Sequence, residues 1–253
     1  MIKFKKIAWF MDVNEETNIR NIFGKHKFKG IKKIITTIEN NSERYIWNIK
    51  KATLEDLIEF NELYKQEIGK KYNSKIYDLI NIYEPQILSW NNIYFSYLRE
   101  NNILIAWWIS SHKISRWKDT LAGCIKVWEN IKIDWISILY YIEYLFFTLG
   151  MKLNVKQFSA GKDRNCYGYI WENIWLAIHK LQNHYLPYES SDKEEFEIEE
   201  NDILNETMLL IPNPNKNYFC DKAILRSNKD NIKIDEEFVL LKKRWISLEI
   251  RSL

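Results

Sequence analysis

The chain has few of the residues that staple or punctuate a fold. Its 253 residues include three cysteines, four prolines and seven glycines. Cys124, Cys166 and Cys220 are odd in number and lack metal-ligand spacing. That excludes a disulfide framework or a cysteine-rich zinc module and points to reduced thiols. The low proline and glycine content excludes collagen-like and low-complexity architectures. No apolar run has the length of a bilayer span. The longest, Trp135–Leu149, carries Glu143 near its middle and reads as a buried helix. With no signal-type segment either, the expectation is a cytoplasmic protein without a membrane partner. Charge of one sign is also lacking: the net is +3, too small for a global polyanion binder. There is no phosphate-binding P-loop, no dinucleotide glycine fingerprint and no serine nucleophile elbow.

Apolar and aromatic residues are plentiful. Hydrophobic residues make up 46% of the chain and aromatics 15%, with eleven tryptophans, while 28% is charged. This is a globular composition, and a chain of this length can bury a core without disulfides or metal. The charge is unevenly placed. Residues 1–51 hold twelve Lys/Arg against five Asp/Glu, and residues 189–202 hold eight acids against one lysine. Blocks of this kind form solvated faces or guide a partner of opposite charge, such as CoA or an RNA. His26 and His112 stand alone, and His179 and His184 are five apart, so no metal ligand set is expected.

The periodicity predicts mixed α/β structure. Residues 1–30 read as a short apolar start and a Gly/Lys/His-rich loop. Segments Ile31–Ile38 and Arg44–Ile49 read as a hairpin across a polar turn. Thr53-Leu54-Glu55-Asp56 is a helix start, with Gly69 as the stop. A second helix runs from Ile76 to Trp90, bent or broken at Pro85. Ile93–Leu98, Ile103–Ser110 and Leu121–Trp128 read as strands, the first two joined at Glu100-Asn101-Asn102. Ile136–Leu149 is an apolar helix ended by Gly150, Leu153–Ser159 a further strand and Tyr169–Leu181 a helix. Met208–Ile211 and Lys222–Leu225 are short strands. The order does not alternate strand and helix regularly, so the fold class is α+β with a mixed sheet and helices on both faces.

Phe158–Gly168 is the richest stretch chemically. Gly161 and Gly168 allow close backbone approach or positive φ. Asp163 can accept a proton or orient a base, and Tyr167 can donate one. Lys162 and Arg164 can neutralise phosphate or carboxylate. Cys166 has no histidine at a spacing that would make it a nucleophile. In this segment, and in the strand and helix order before it, the chain resembles the GNAT (N-acyltransferase) superfamily. The resemblance covers roughly residues 45–190 and rests on Gly161, Asp163, Arg164, Asn165 and Gly168, with Ile178-His179-Lys180 near the helix end. Ordinary acetyl-CoA members carry a glycine-rich loop after the central strand, whereas Glu129–Asp134 holds no glycine. The likeness is therefore nearer the Fem-type aminoacyltransferase branch.

That resemblance implies a splayed sheet and three regions: a basic extension over 1–44, an acyltransferase core over 45–190, and an acidic loop with strands over 191–253 completing the same domain. It implies a donor, either an acyl-CoA or an aminoacyl-tRNA, aligned by the backbone of Ile125, Lys126 and Val127 and held by Gly161, Arg164 and Asn165. Asp163 would serve as base or its orienter and Tyr167 as acid, with no metal. The acceptor would be an amine-bearing small molecule or peptide, and tRNA is a candidate partner. Two other readings stand beside the enzyme: a catalytically inactive GNAT-like scaffold for a protein partner, and an RNA-binding module using the basic N-terminal block and exposed aromatics.

Overall fold

The computed structural model describes residues 5–71, 77–90, 92–165, 169–170, 180, 183–189, 208–210, 222–227 and 247–252. Its elements in chain order are β1 (Lys5–Asp12), α1 (Ile19–Asn40), β2 (Tyr45–Lys51), α2 (Leu54–Lys71), α3 (Leu79–Trp90), β3 (Ile93–Glu100), β4 (Ile103–Ser115), β5 (Lys118–Trp128), β6 (Lys132–Ile133), β7 (Ile136–Ser137), α4 (Ile138–Lys152), β8 (Gln157–Asn165), β9 (Tyr169–Ile170), β10 (Leu186–Glu189), β11 (Met208–Leu210), β12 (Lys222–Ser227) and β13 (Ser247–Ser252). The chain divides into two units, one of residues 12–158 and one of residues 1–11 with 159–253.

The unit of residues 12–158 has the expected mixed α+β architecture. Strands β2, β3, β4 and β5 pair antiparallel in that spatial order. Trp107 and Trp108 are sequential on β4 and therefore point to opposite faces of the sheet. Trp107 stacks on Phe60 of α2 at 5.2 Å between ring centroids, and Trp108 stacks on Phe146 of α4 at 4.3 Å. Helices thus cover both faces. On the α2/α3 side the core is Leu57, Phe60, Leu79, Phe95, Trp107 and Val127. On the other side α1 packs on α4, where Phe23 meets Phe147 edge-on at 5.5 Å. Gln157 and Phe158 begin β8 beside β5, where the Thr120 hydroxyl donates to Gln157 Oε1 at 3.4 Å.

Local chemistry accounts for several elements. Thr53 caps α2: its hydroxyl accepts from Asp56 N at 3.3 Å, and Asp56 Oδ2 accepts from Thr53 N at 3.1 Å. This reciprocal pair satisfies two otherwise orphaned helix-start donors. The β3–β4 hairpin turns on Asn101 and Asn102, with φ of 48° and 67°. Asparagine tolerates that left-handed region well, and a two-residue turn of this hand matches strand twist.

Five expectations are corrected. Residues 19–40 form α1, which is kinked at Gly24 with φ of 75°, instead of a loop followed by a strand. Ile31, Ile34 and Ile38 are buried at helical spacing, so packing against α4 outweighs the β-branched preference of Ile34–Ile38. Gly69 does not stop α2, which continues to Lys71. Pro85 lies inside α3, which runs unbroken to Trp90. Gly150 does not end α4, because it is a packing notch: a Cβ there would lie 2.1 Å from Phe158 Cε1. Leu153 is the C-cap residue of α4 and not the start of a strand.

In the unit of residues 1–11 and 159–253, β1 pairs antiparallel with β10, with Ile7 opposite Glu189 and Phe10 opposite Leu186. The buried Trp9 ring lies under the Lys180 ammonium at 5.5 Å, and Phe10 meets Tyr188 edge-on at 5.6 Å. A second sheet orders β13, β12, β11 and β9. Tyr169 and Ile170 pair with Leu210 and Leu209 as strand β9, so the expected helix does not begin at Tyr169, and its residues 171–179 lie outside the described ones. The expected strands at Met208 and Lys222 are β11 and β12.

Candidate active site

The central strand β5 is irregular where a donor was expected to bind. Ile125 faces Ile109 across the ladder, but Ser110 faces Gly123, so Cys124 is an extra residue on β5. Such a bulge leaves a backbone N–H and C=O outside the ladder and bends the strand. Its position is supported from both sides. Gly123 leaves room for the Trp108 indole, which a Cβ would approach within 2.6 Å. From α3, the Tyr83 phenol lies beside the Cys124 thiol, which itself donates to Ala122 O at 3.6 Å. Cys124 is a free thiol with part of its surface in solvent, yet the atoms crowded around it raise its pKa, opposed by Tyr83, Lys113 and Ser111. Burial likewise pushes the Tyr83 phenol far above its ordinary value, so it stays protonated.

Ile125 and Val127 turn into the α2/α3 core, where Val127 is fully enclosed and Ile125 partly so. The Lys126 side chain points the other way. Its ammonium lies 2.7 Å from Glu143 Oε1 on α4, and sits over the Trp108 and Trp128 rings at 5.0 and 5.8 Å. The side chain of Glu143 is only 4% exposed. Lys126 is therefore committed to a structural ion pair, and only its backbone is left for a ligand.

At the far end of the β4–β5 hairpin, His112 Nε2 lies 2.6 Å from Asp119 Oδ1. The β4 backbone there is clasped by Asn92, which accepts from His112 N and donates through Nδ2 to His112 O, both at 2.9 Å. An imidazole oriented by a carboxylate can accept a proton on its other nitrogen. His112 is thus not isolated, as its sequence position suggested. Its partner is seven residues on and becomes a cross-strand neighbour only through the hairpin register. Nearby, Asp12 Oδ1 accepts from Gln157 Nε2 at 2.7 Å and pairs with Lys118 at 2.8 Å.

Gly161, Asp163, Arg164 and Asn165 lie in β8 and not in a loop after it. Gly161 has φ of 80°, a left-handed value that favours glycine and interrupts the pleat. Tyr167 lies outside the described residues, as do Cys166, Gly168 and His179. No group of three or more metal-ligating side chains occurs among the described residues. No helix among them is long and apolar enough to cross a membrane.

No family model matches the chain, and no curated protein does. Solved structures similar to it include L-PGS from Bacillus licheniformis, at 13% identity and a TM-score of 0.41 over 64% of this chain and 49% of that one. A conserved protein of unknown function from Bacteroides thetaiotaomicron matches at 12% identity and 0.45, over 72% and 58%. A GNAT-family acetyltransferase from Listeria monocytogenes matches at 13% identity and 0.39, over 59% and 95%. The chain spans about half the length of the first two.

Proposed function

We propose that this protein is an N-acyltransferase, moving an acyl or aminoacyl group from a CoA thioester or a charged tRNA to an amine. The observation that carries the reading is the bulge at Cys124. It lies in the succession β2, α2, α3, β3, β4, β5, the short β6–β7 hairpin, α4, β8, with helices on both faces of the sheet. This is the element order of the GNAT-type acyltransferases that the sequence resembles. A bulge in the central strand supplies unladdered amide and carbonyl groups beside which an extended donor can align.

The chemistry asked of the protein is modest. The amine nitrogen attacks the donor carbonyl, the new N–C bond forms, and the C–S or C–O bond breaks. The amine loses a proton, and the departing thiolate or ribose oxygen gains one. Holding donor and acceptor in contact supplies much of the rate, and each proton transfer contributes about 10²- to 10⁴-fold. In this reading the backbone of Ile125, Lys126 and Val127 aligns the donor. Gly161, Arg164 and Asn165 bind it, Asp163 is the base or its orienter, and Tyr167 is the acid. The bulge and the paired His112 support the reading from the unit of residues 12–158, where His112 is a second candidate base.

The test is a panel of acyl-CoA and aminoacyl-tRNA donors with amine acceptors, read as acceptor-dependent release of free thiol or uncharged tRNA. Asp163→Asn and His112→Gln are run in parallel to decide which group takes the proton. A protein that binds no donor and releases nothing with any pair contradicts the proposal.

A further inference from the structure

The second half of α1 forms a basic face that the acyl-transfer reading does not use. Lys25, Lys29, Lys32, Lys33 and Thr36 recur at spacings of four, three, one and three, which sets them on one side of a helix. All five are exposed. Of the 22 residues of α1, only Glu39 is acidic. Among the described residues no carboxylate forms an ion pair with Lys29, Lys32 or Lys33. Lys29, Lys32, Lys33 and Thr36 line an open cleft of about 360 Å³, whose other wall includes Asp134.

That wall is the tip of the β6–β7 hairpin, which two contacts fix against the helix. Gly30 admits Ile136 so closely that a Cβ would lie 2.9 Å from its Cδ1. The Thr37 hydroxyl donates to Asp134 Oδ2. This bond occupies one oxygen of the carboxylate that lines the cleft. The next residue in the turn is Trp135, in the left-handed region at φ of 67° and 93% exposed. A large indole held almost wholly in water does not serve the core.

We propose that this face binds single-stranded nucleic acid, the lysines of α1 taking successive phosphates and Trp135 stacking a base. From Lys25 to Lys33 the helix rises about 12 Å, a row of charge and not a single anion hole. A basic groove flanked by a solvent-facing aromatic has the two components that bind unpaired strands without sequence preference. An anionic membrane fits less well, since it calls for several apolar side chains at one level. Among the described residues the other nearly fully exposed tryptophan, Trp117, sits at the β4–β5 turn, the opposite end of β5 from the one that leads to Trp135. The inference does not rest on the acyl-transfer reading, since the face is tested by binding alone.

The experiment is fluorescence anisotropy of a labelled oligouridylate and its oligodeoxythymidylate counterpart between about 50 and 200 mM salt. Lys29→Gln/Lys32→Gln/Lys33→Gln should weaken binding at least tenfold and reduce the salt slope by about 2, at about 0.7 for each phosphate no longer neutralised. Trp135→Ala should weaken it roughly five- to 150-fold with the slope unchanged, and Trp117→Ala should have no effect. All these side chains are exposed, so the variants should keep the far-UV circular dichroism of the parent. No binding by the parent at low salt would overturn the proposal, as would a triple variant that binds normally. Complete displacement by CoA would overturn it by assigning the face to a free nucleotide. Lysine-dependent binding to phosphatidylserine vesicles but not to oligonucleotides would overturn it in favour of a membrane.

Discussion

Substituting Gly150 by alanine should destabilise the protein, although the position is helical. In an exposed helix the change would be favourable by about 1 kcal/mol, because glycine is a poor helix former. At Gly150 a Cβ would stand 2.1 Å from Phe158 Cε1 and 2.4 Å from Cζ. Carbon atoms rest about 3.5–4.0 Å apart, so the ring or the helix must move by more than an ångström. The ring has little freedom to do so. Phe158 is fully buried, with Phe146 and Phe147 at centroid distances of 5.5 and 5.1 Å. Overpacking of this kind costs about 1–3 kcal/mol, and the size of the overlap places this site at the upper end. Offset by the helix gain, the net loss is about 2 kcal/mol. At about 2–4 °C per kcal/mol for a chain of this size, the melting temperature should fall by about 4–8 °C. Thermal unfolding of Gly150→Ala, Phe158→Leu and the double variant supplies the assay. The double variant should recover part of the loss, since the smaller side chain leaves room for the methyl group. A Gly150→Ala protein as stable as its parent would refute the tight approach of α4 to Phe158.

Removing one partner of the Lys126–Glu143 pair should cost more than removing both. Glu143→Gln leaves the ammonium without its counter-charge in a largely buried site, at about 3 kcal/mol, and Lys126→Met in the same chain should recover part of it in urea unfolding. Stability should also fall at high pH. Burial raises the Tyr45, Tyr83 and Tyr141 phenols above the ordinary value of 10.0. The folded state therefore holds protons that the unfolded state releases, and stability present below pH 10 is lost above it, at up to about 1.4 kcal/mol per pH unit for each phenol. Tyr83→Phe and Tyr141→Phe should each flatten that decline in an alkaline unfolding series, and a decline of unchanged slope would contradict the burial. Once a donor is known, Asp163→Asn should lower turnover with folding unchanged, and Tyr167→Phe should do so more mildly because water can replace a phenol. Arg164→Ala should mainly weaken donor binding. If all three variants behave as the parent, Asp163, Arg164 and Tyr167 have no part in the chemistry.

The parts of the fold legible in the sequence are those whose signals are local. Thr53 and Asp56 announce a helix start by their own hydrogen bonds, Asn101-Asn102 announces a turn by its backbone preference, and β3, β4 and β5 stand out as short apolar runs, β4 buried on both faces from Leu104 to Ser111. The parts that are not legible depend on partners distant in the chain. The Ile34–Ile38 run has strand propensity, and only the apolar face of α4 makes a helix the better solution. Gly150 looks like a terminator until Phe158 is brought against it. Among the candidate site residues, Ile125 to Val127 are readable because they lie on a strand evident from its pattern. The Cys124 bulge is not, since one extra residue leaves no trace in composition. The His112–Asp119 pair likewise depends on the β4–β5 register, which spacing along one strand does not reveal.

The measurement that tests acyl transfer most directly is native mass spectrometry of the freshly purified protein, followed by the same measurement after incubation with donor and amine. The account predicts a retained mass equal to a CoA species or a tRNA, lost on turnover with appearance of the acylated amine. A protein that carries and accepts neither, at concentrations where its fold is intact, would contradict it.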